Sequence, residues 1–391
     1  MAQQQYDFPE RQQEHDNLLR DRTAETVTRR GRMDLPFLLL TLLILVVGLI
    51  MVLSASFARA YYEEGNAAYV FTRQLLFSVS GVGWMIIASR MTPKFYKRTA
   101  FWVLLVAFVL LLIVPVIGNK VNGARRWLSV GGAFTFQPSE VAKLGLVMSF
   151  SVMATQFGEK MKTFKYGVLP FFVIIALMVG LLALEPHLSA SVIIVLLGVI
   201  LMFAGGTRIY WFLLVGAVAG GGGWLLVTKF AYASSRIAVW RDPFSAKLGG
   251  GWQIIQSLYA IGSGGLLGLG LGQSRQKYLY LPEEHNDFIF SIICEELGFI
   301  GAVLILVLFL LLIIRGYWLA MHAKTKFASL VITGITSLLA LQVFLNVAVV
   351  TNLIPATGIS LPFFSYGGTA LWIQLIEMGI VLAFSREIED K

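Results

Sequence analysis

The sequence predicts an all-α polytopic membrane protein with about ten transmembrane helices. Hydrophobic residues make up 57% of the 391-residue chain, charged residues only 14%, and the mean hydropathy is +0.76. Soluble domains carry roughly a quarter charged residues, so this composition belongs to the membrane class. The apolar residues also fall in runs of about 20, the length that crosses the hydrocarbon core of a bilayer as a helix.

Ten apolar runs follow one another along the chain. The first is longer than the core of a signal peptide and more spans follow it, so we expect it to stay uncleaved. The fifth and sixth runs are separated only by Glu185-Pro186-His187, which predicts a tight turn. The runs lie near residues 36–57, 70–89, 100–118, 141–156, 168–184, 188–204, 210–230, 287–314, 327–350 and 368–385.

Basic residues assign the two sides of the membrane. They concentrate in the N-terminal tail and in alternate loops near 94–98, 160–165, 208 and 315–326, which the positive-inside rule places in the cytoplasm. With about ten spans, both termini are then cytoplasmic. Residues 1–33 are polar without an apolar period, which predicts a disordered cytoplasmic tail. Residues 34–391 are expected to form a single transmembrane domain.

The largest outward loop, 231–286, lies between the seventh and eighth spans. Apolar residues from Ile254 to Ile261 recur at helical spacing, which predicts a short amphipathic helix on the bilayer surface. Gln253, Gln256 and Ser257 are expected to point away from its apolar face.

Charge and cysteine content exclude some classes of function. The formal net charge is +9, but the basic residues flank apolar spans, so they indicate cytoplasmic loops and contact with membrane lipids, not nucleic acid. Cys294 is the one cysteine, which excludes an intrachain disulfide and makes a thiolate metal cluster unexpected.

Charged residues in or beside spans are costly to bury, so they are candidates for function. Four clusters of polar or charged residues occupy predicted outward loops: Arg125 to Lys143, Glu185 to His187, Arg236 to Asp287, and Pro355 to Gly368. The acids have a structural alternative, because Glu140 and Asp287 begin apolar helices, where an acid caps free N–H groups. Several cations and an isolated acid at one leaflet suit a substrate with pyrophosphate on a polyprenyl tail.

Several longer motifs resemble the shape, elongation, division and sporulation (SEDS) family, from the first span onward. The segments Tyr278 to Asp287 and Val350-Thr351 are more similar to its FtsW and SpoVE branches than to RodA. The motifs are Asn122-Gly123-Ala124, Arg126-Trp127, Gln137-Pro138-Ser139-Glu140, Gln256 to Gly265, Tyr280 to Glu283, Asn286 to Phe290, Glu295 to Gly298, and Pro355 to Gly368.

The resemblance implies a peptidoglycan glycosyltransferase in the bacterial cytoplasmic membrane. Such an enzyme polymerises lipid II, a disaccharide peptide on undecaprenyl pyrophosphate, and works with a class B penicillin-binding transpeptidase. Likeness to the FtsW branch implies septal cell-wall synthesis with divisome proteins, while an elongation or sporulation role stays open. The essential acid of the family falls on Asp287 and its functional lysine on Lys143.

The resemblance has one departure. Family members often carry Gln-Pro-Asp-Leu-Gly-Thr in the fifth-to-sixth turn, where this chain has Glu185-Pro186-His187-Leu188-Ser189-Ala190. A role of that aspartate therefore does not carry over, although Glu185 could supply a carboxylate nearby.

The residues and the resemblance together predict an inverting glycosyl transfer with Asp287 as the general base. Arg126, Lys143, Arg236 and Lys277 are expected to stabilise the leaving pyrophosphate. The further expected substrate contacts are Glu140, Glu283, His285 and Ser365. No metal-ligand motif is assembled in the sequence, although a divalent cation, Mg or Mn, could assist. The alternatives are a flippase that transports lipid II and a non-catalytic scaffold.

Overall fold

The computed structural model describes residues 31–121, 124–130, 134–185, 187–213, 216, 238–247 and 249–388. In these ranges nine helices are long and apolar enough to cross a membrane, which confirms the predicted polytopic all-α class. The predicted seventh span, 210–230, lies mostly outside the described residues. So does nearly all of the expected N-terminal tail.

Nine of the ten predicted apolar runs are helices in the structure. The helices nearest the centre of the bundle are α4, α9 and α10, while α1, α2, α3 and α5 expose more of their surface. The helices are α1 Leu35–Glu64, α2 Tyr69–Arg90, α3 Pro93–Ile117, α4 Pro138–Phe157, α5 Leu169–Leu184, α6 Leu188–Gly205, the short α7 Trp252–Ser263, α8 Ile289–Met321, α9 Lys326–Val350 and α10 Gly368–Ser385.

Helix α1 shows how local sequence sets the limits of a span. The Asp34 carboxylate accepts a hydrogen bond of 2.9 Å from the N–H of Phe37, and Pro36 occupies the first turn, where its missing N–H costs nothing. The helix ends at Gly65, which has a φ of 66°. Its 30 residues are about 45 Å long, so α1 extends beyond a hydrocarbon core of about 30 Å.

A small antiparallel sheet lies between α3 and α4, where no strand was predicted. Its strands are β1 Asn119–Val121, β2 Ala124–Val130 and β3 Phe134–Phe136, in that order across the sheet. The sequence does carry a signal for it, because Asn122-Gly123 is a common hairpin pair. The sheet places Arg126 above the end of the bundle that the predicted outward loops share, here called the site end.

The predicted amphipathic helix is present as α7, and Gln256 and Ser257 of its polar face are turned into the protein. Both side chains are buried together with Ile254 and Ile255. The Ser257 hydroxyl donates to the Val350 carbonyl at 2.6 Å and lies 2.7 Å from the hydroxyl of Ser291. The polar face is therefore satisfied by α8 and α9, because inter-helix hydrogen bonds replace water there.

Helix α8 is broken at Gly298, which has a φ of 66°. The segment after α7 inserts there. The N–H of Leu269 donates to the main-chain carbonyl of Glu295 at 3.0 Å, and the N–H of Phe299 donates to the main-chain carbonyl of Gly265 at 2.9 Å. A Cβ on Gly298 would lie 2.2 Å from the backbone nitrogen of Gly268, so only glycine fits. The backbone groups freed by the break are thus paired within the protein, as a membrane requires.

Candidate active site

Described residues of all four clusters meet at the site end. The guanidinium of Arg126, on β2, donates to the main-chain carbonyl of Glu185 at 3.4 Å. The Gln137 amide, at the start of α4, lies 3.4 Å from Nε2 of His187. These two contacts join the first cluster to the turn between α5 and α6.

The same turn contacts the segment between α9 and α10. The Ser189 hydroxyl donates to the main-chain carbonyl of Thr357. That segment in turn holds the loop before α8, because the N–H of Tyr366 donates to the carbonyl of His285 at 2.8 Å. Residues far apart in sequence therefore surround one polar region.

Asp287 lies just before α8, and its side chain does not cap that helix. The N-cap of α8 is Phe288, and no side-chain capping hydrogen bond occurs there. The main-chain carbonyl of Asp287 accepts a hydrogen bond of 2.8 Å from the Asn346 amide, which also donates to Ile359 at 2.6 Å. The backbone of Asp287 is thus fixed by α9, while its carboxylate has no helix N–H to satisfy.

The surroundings of Asp287 raise the pKa of its carboxyl group toward neutral pH, which suits a general base. Burial of its carboxylate raises the pKa from 3.8 to about 6, and the nearby charge of Glu283 acts in the same direction. The guanidinium of Arg126 opposes both effects and lowers this pKa. A carboxylate of this pKa is ionised at pH 7 yet accepts a proton more readily than an ordinary aspartate.

Glu185 and His187 contribute uncharged polar groups to the same region. Burial raises the pKa of Glu185 to about 8, with Arg126 opposing the shift. Burial lowers the pKa of His187 to about 3, and the charges of Arg126 and Lys143 add to that shift. Near pH 7 the two side chains are therefore largely neutral.

Several buried polar atoms around these residues have no hydrogen-bond partner within the described residues. They are both carboxyl oxygens of Glu185, Nδ1 of His187, and the hydroxyls of Ser139 and Thr357. Buried polar groups in native proteins are nearly always paired, so such a group of unpaired atoms indicates a place where water or a polar ligand binds.

Lys143 is buried in α4, where its ammonium lies 2.7 Å from the carboxylate of Glu140. Glu140 is in the first turn of α4, yet no side chain caps that helix. Glu377 of α10 is buried within electrostatic range of both residues. Sequence reasoning missed Glu377, although an acid within a span is itself a signal of function.

The remaining expected substrate contacts mainly shape the loop before α8. Glu283 has a φ of 57° and accepts a hydrogen bond of 2.6 Å from the Asn286 amide. The Ser365 hydroxyl donates to the carbonyl of Asn286 at 2.8 Å. The ring of His285 is buried against Tyr366. These contacts position the residue next to Asp287.

Lys277 is enclosed away from these groups. Its ammonium donates to the carboxylate of Glu296 at 3.0 Å and to the carbonyl of Gly272 at 2.7 Å, and the side chain is buried. This location argues against the expected phosphate contact, because a fully paired buried ammonium has no face left for substrate. Arg236, the other expected phosphate ligand from this loop, lies outside the described residues.

The described parts of the chain hold no group of three His, Cys, Asp or Glu side chains able to bind a metal ion. Assistance by Mg or Mn stays a prediction.

Comparison with known proteins gives a consistent result over most of the chain. The FtsW/RodA/SpoVE family model, described as a cell cycle protein, matches residues 34–390. Stage V sporulation protein E of Bacillus subtilis is 40% identical over 92% of this chain and 98% of its own length. A probable peptidoglycan glycosyltransferase FtsW of Trichlorobacter lovleyi is 39% identical over 91% of this chain and 94% of its own.

Solved structures share the fold. A chain of a peptidoglycan synthase complex, described as coordinating polymerization and crosslinking, has a TM-score of 0.76 and 29% identity, covering 91% of this chain and 98% of that one. The rod shape determining protein RodA of Thermus thermophilus has a TM-score of 0.67 and 26% identity, covering 92% and 99%.

Proposed function

The chain belongs to the FtsW/RodA/SpoVE family and is a multi-pass peptidoglycan glycosyltransferase, and we propose that it polymerises lipid II during septal wall synthesis. The observation that carries this proposal is the state of the Asp287 carboxylate. Its pKa is raised, it does not cap α8, and the charge of Arg126 acts on it. A general base beside a cation is what transfer of a sugar from a diphosphate requires.

The proposed reaction is a single inverting displacement. The acceptor sugar hydroxyl attacks the anomeric carbon of the donor while Asp287 takes the hydroxyl proton. The bond from that carbon to the pyrophosphate oxygen breaks, and the polyprenyl pyrophosphate leaves with the electron pair. One base and direct attack leave no covalent intermediate, so the configuration inverts.

Arg126 is the proposed contact for the developing pyrophosphate charge. Its guanidinium shifts the pKa values of Asp287, Glu185 and His187, so its field covers the whole polar region. Lys143 adds positive charge from below, partly neutralised by Glu140. We leave Lys277 out of the substrate contacts because its ammonium is paired with Glu296.

A class B penicillin-binding transpeptidase and further division proteins are the proposed partners. The solved relative that coordinates polymerization with crosslinking supports this, since crosslinking needs a second activity beside glycan synthesis. Co-purification of the chain with candidate transpeptidases, followed by the rate of glycan synthesis with and without each one, tests the partnership.

The division role is proposed over sporulation and elongation. Relatives of the division type and of the sporulation type match at 39% and 40% identity, so identity alone does not choose between them. Depletion of the protein in growing cells distinguishes the roles, because loss of a division enzyme gives filaments and loss of an elongation enzyme gives round cells.

Transport of lipid II is the less supported alternative. Transporters bind their substrates at broken helices near mid-membrane. The break described here, at Gly298, is filled by backbone of the chain itself.

The test of the activity replaces Asp287 by Asn, which keeps the shape and removes the base. We expect the purified variant to make about 10²–10⁴-fold less glycan from labelled lipid II than the parent protein. The matched control is Asp242→Asn, because Asp242 caps a short helix in the neighbouring loop and Asn caps about as well. Near-normal polymerisation by Asp287→Asn would overturn the general-base assignment.

A further inference from the structure

An apolar groove runs between α3 and α5 on the outer surface of the bundle. It encloses about 450 Å³ and is lined by Phe108, Val109, Leu112, Ala176, Leu177, Gly180 and Leu181. Val109, Leu112 and Leu177 are exposed, so the groove opens toward the membrane. A Cβ on Gly180 would meet no atom within 4 Å, which shows that the missing side chain contributes to the open space.

The groove lies directly below the arginines of β2. The guanidinium of Arg125 donates to the carbonyls of Pro115 and Val116, about one helical turn beyond Leu112. Arg126 donates to the carbonyl of Glu185, which is one turn beyond Leu181. Both walls of the groove therefore end at a cation. The carbonyls that bind the two arginines lie about 6 Å or less beyond the groove along their helices.

We propose that this groove holds the first isoprenoid units of the donor substrate while Arg125 and Arg126 hold its diphosphate. This inference rests on the proposed function, since it assigns the lipid tail of that same donor. The arrangement fits an amphiphile whose charged group is at the bilayer surface and whose chain lies in the hydrocarbon region. It also places the diphosphate at the arginine that shifts the pKa of Asp287.

The groove orients more than it attracts. Lipid chains are as apolar as the leucines of the groove wall, so leaving the bilayer for the groove gives the tail no hydrophobic gain. What the groove adds is close packing on a chain already anchored at its charged end. Fixing the chain limits rotation of the diphosphate and so aligns the anomeric carbon with the base.

The first experiment fills the groove. Gly180→Leu places a side chain in the open space, and Gly83→Leu is the control, because Gly83 is also an exposed glycine in a span with no atom near its Cβ position. Inhibition of polymerisation is measured with undecaprenyl diphosphate and with inorganic pyrophosphate. We expect Gly180→Leu to weaken inhibition by undecaprenyl diphosphate about tenfold, with inhibition by pyrophosphate unchanged. Equal behaviour of the two variants would overturn the proposal.

The second experiment does not depend on activity. A photoreactive amino acid replaces Leu177 in the groove or Leu76 on α2, two exposed leucines of lipid-facing helices. A labelled undecaprenyl diphosphate should cross-link at position 177 several-fold more than at 76, and excess unlabelled undecaprenyl diphosphate should compete. Cross-linking equal at both positions, or not competed, means that ordinary membrane lipid fills the groove, and the proposal fails.

The two experiments separate failure of this inference from failure of the proposed function. A parent protein that makes no glycan from lipid II, yet cross-links specifically at position 177, would contradict the polymerase and keep the lipid groove. A parent that polymerises while Gly180→Leu and position 177 behave as their controls would keep the polymerase and remove the groove. Gly180→Ala, a smaller change at the same open position, replaces Gly180→Leu if the larger side chain impairs folding.

Discussion

A Cβ built on Gly358 would lie 3.0 Å from Oδ2 of Asp287. The segment between α9 and α10 thus approaches the proposed base through a residue without a side chain. Gly358 also has a φ of 69°, a region that glycine adopts without the strain other residues incur. The backbone therefore forms one wall of the carboxylate site.

Gly358→Ala should lower polymerisation, because the added methyl group would lie 3.0 Å from Oδ2 of Asp287 and so pushes the carboxylate slightly out of place. The control is Gly65→Ala, since Gly65 has a nearly equal φ of 66° and open space around its Cβ position. Both variants should lose about 1–2 kcal/mol of stability from left-handed backbone strain. Equal polymerisation rates in the two variants would contradict this account.

The rate should depend on pH through Asp287. Because the base acts when ionised, kcat/KM should rise with pH and reach half its maximum near pH 6, where the pKa of Asp287 lies. Glu283→Gln removes a negative charge that raises this pKa, so its midpoint should move to lower pH. Arg126→Gln removes a charge that lowers it, so the midpoint should move upward. Midpoints that move together would refute the electrostatic assignment.

The Lys277–Glu296 ion pair should stabilise the fold and take no part in polymerisation. Lys277→Ala leaves a buried carboxylate without its cation, which costs about 3–5 kcal/mol. We expect a large loss of melting temperature in detergent, with normal specific activity in the protein that stays folded. Lys247→Ala, which removes an exposed lysine from the same loop, should change neither quantity. A stable but inactive Lys277→Ala protein would return Lys277 to the substrate site.

Glu185 should make the protein less stable as the pH rises. Its folded pKa is about 8 against an ordinary value of 4.5, so the folded state holds a proton that the unfolded state has lost between these values. The stabilisation from the neutral acid is complete below pH 4.5 and is lost as the pH rises through 8. Glu185→Gln should remove this dependence and melt higher than the parent at pH 8. Parallel pH profiles would show that Glu185 is ionised in the folded protein.

Topology is testable by cysteine labelling, because the native Cys294 is buried. A cysteine at position 247 should react with an impermeant reagent applied from outside the cytoplasmic membrane. A cysteine at position 162, which is also exposed, should react only after the membrane is opened. The reverse result would place Asp287 on the cytoplasmic side, away from an outward-facing lipid substrate.

Local pattern accounts for the parts of the fold that were predicted. A run such as 327–350 is recognisable because most residues of a span face lipid or packed protein and are therefore apolar over about 20 consecutive positions, a pattern that is visible without knowing the neighbouring helices. The short sheet at 119–136 escaped prediction because its strands have three to seven residues and lie between spans. The burial of Gln256 and Ser257 escaped it because their partners lie in α8 and α9.

The sequence by itself determined the membrane class, nine described spans and the candidate base, since hydropathy and motif spacing are local properties. Only the tertiary structure decided which cations surround that base. Lys277 is ten residues from Asp287 in sequence but pairs with Glu296, whereas Arg126 is far away in sequence and shifts the pKa of Asp287. The physical reason is that a buried charge pairs with whichever opposite charge the packed helices bring near it. Helix packing depends on several segments together and cannot be predicted from the residue spacing within one of them.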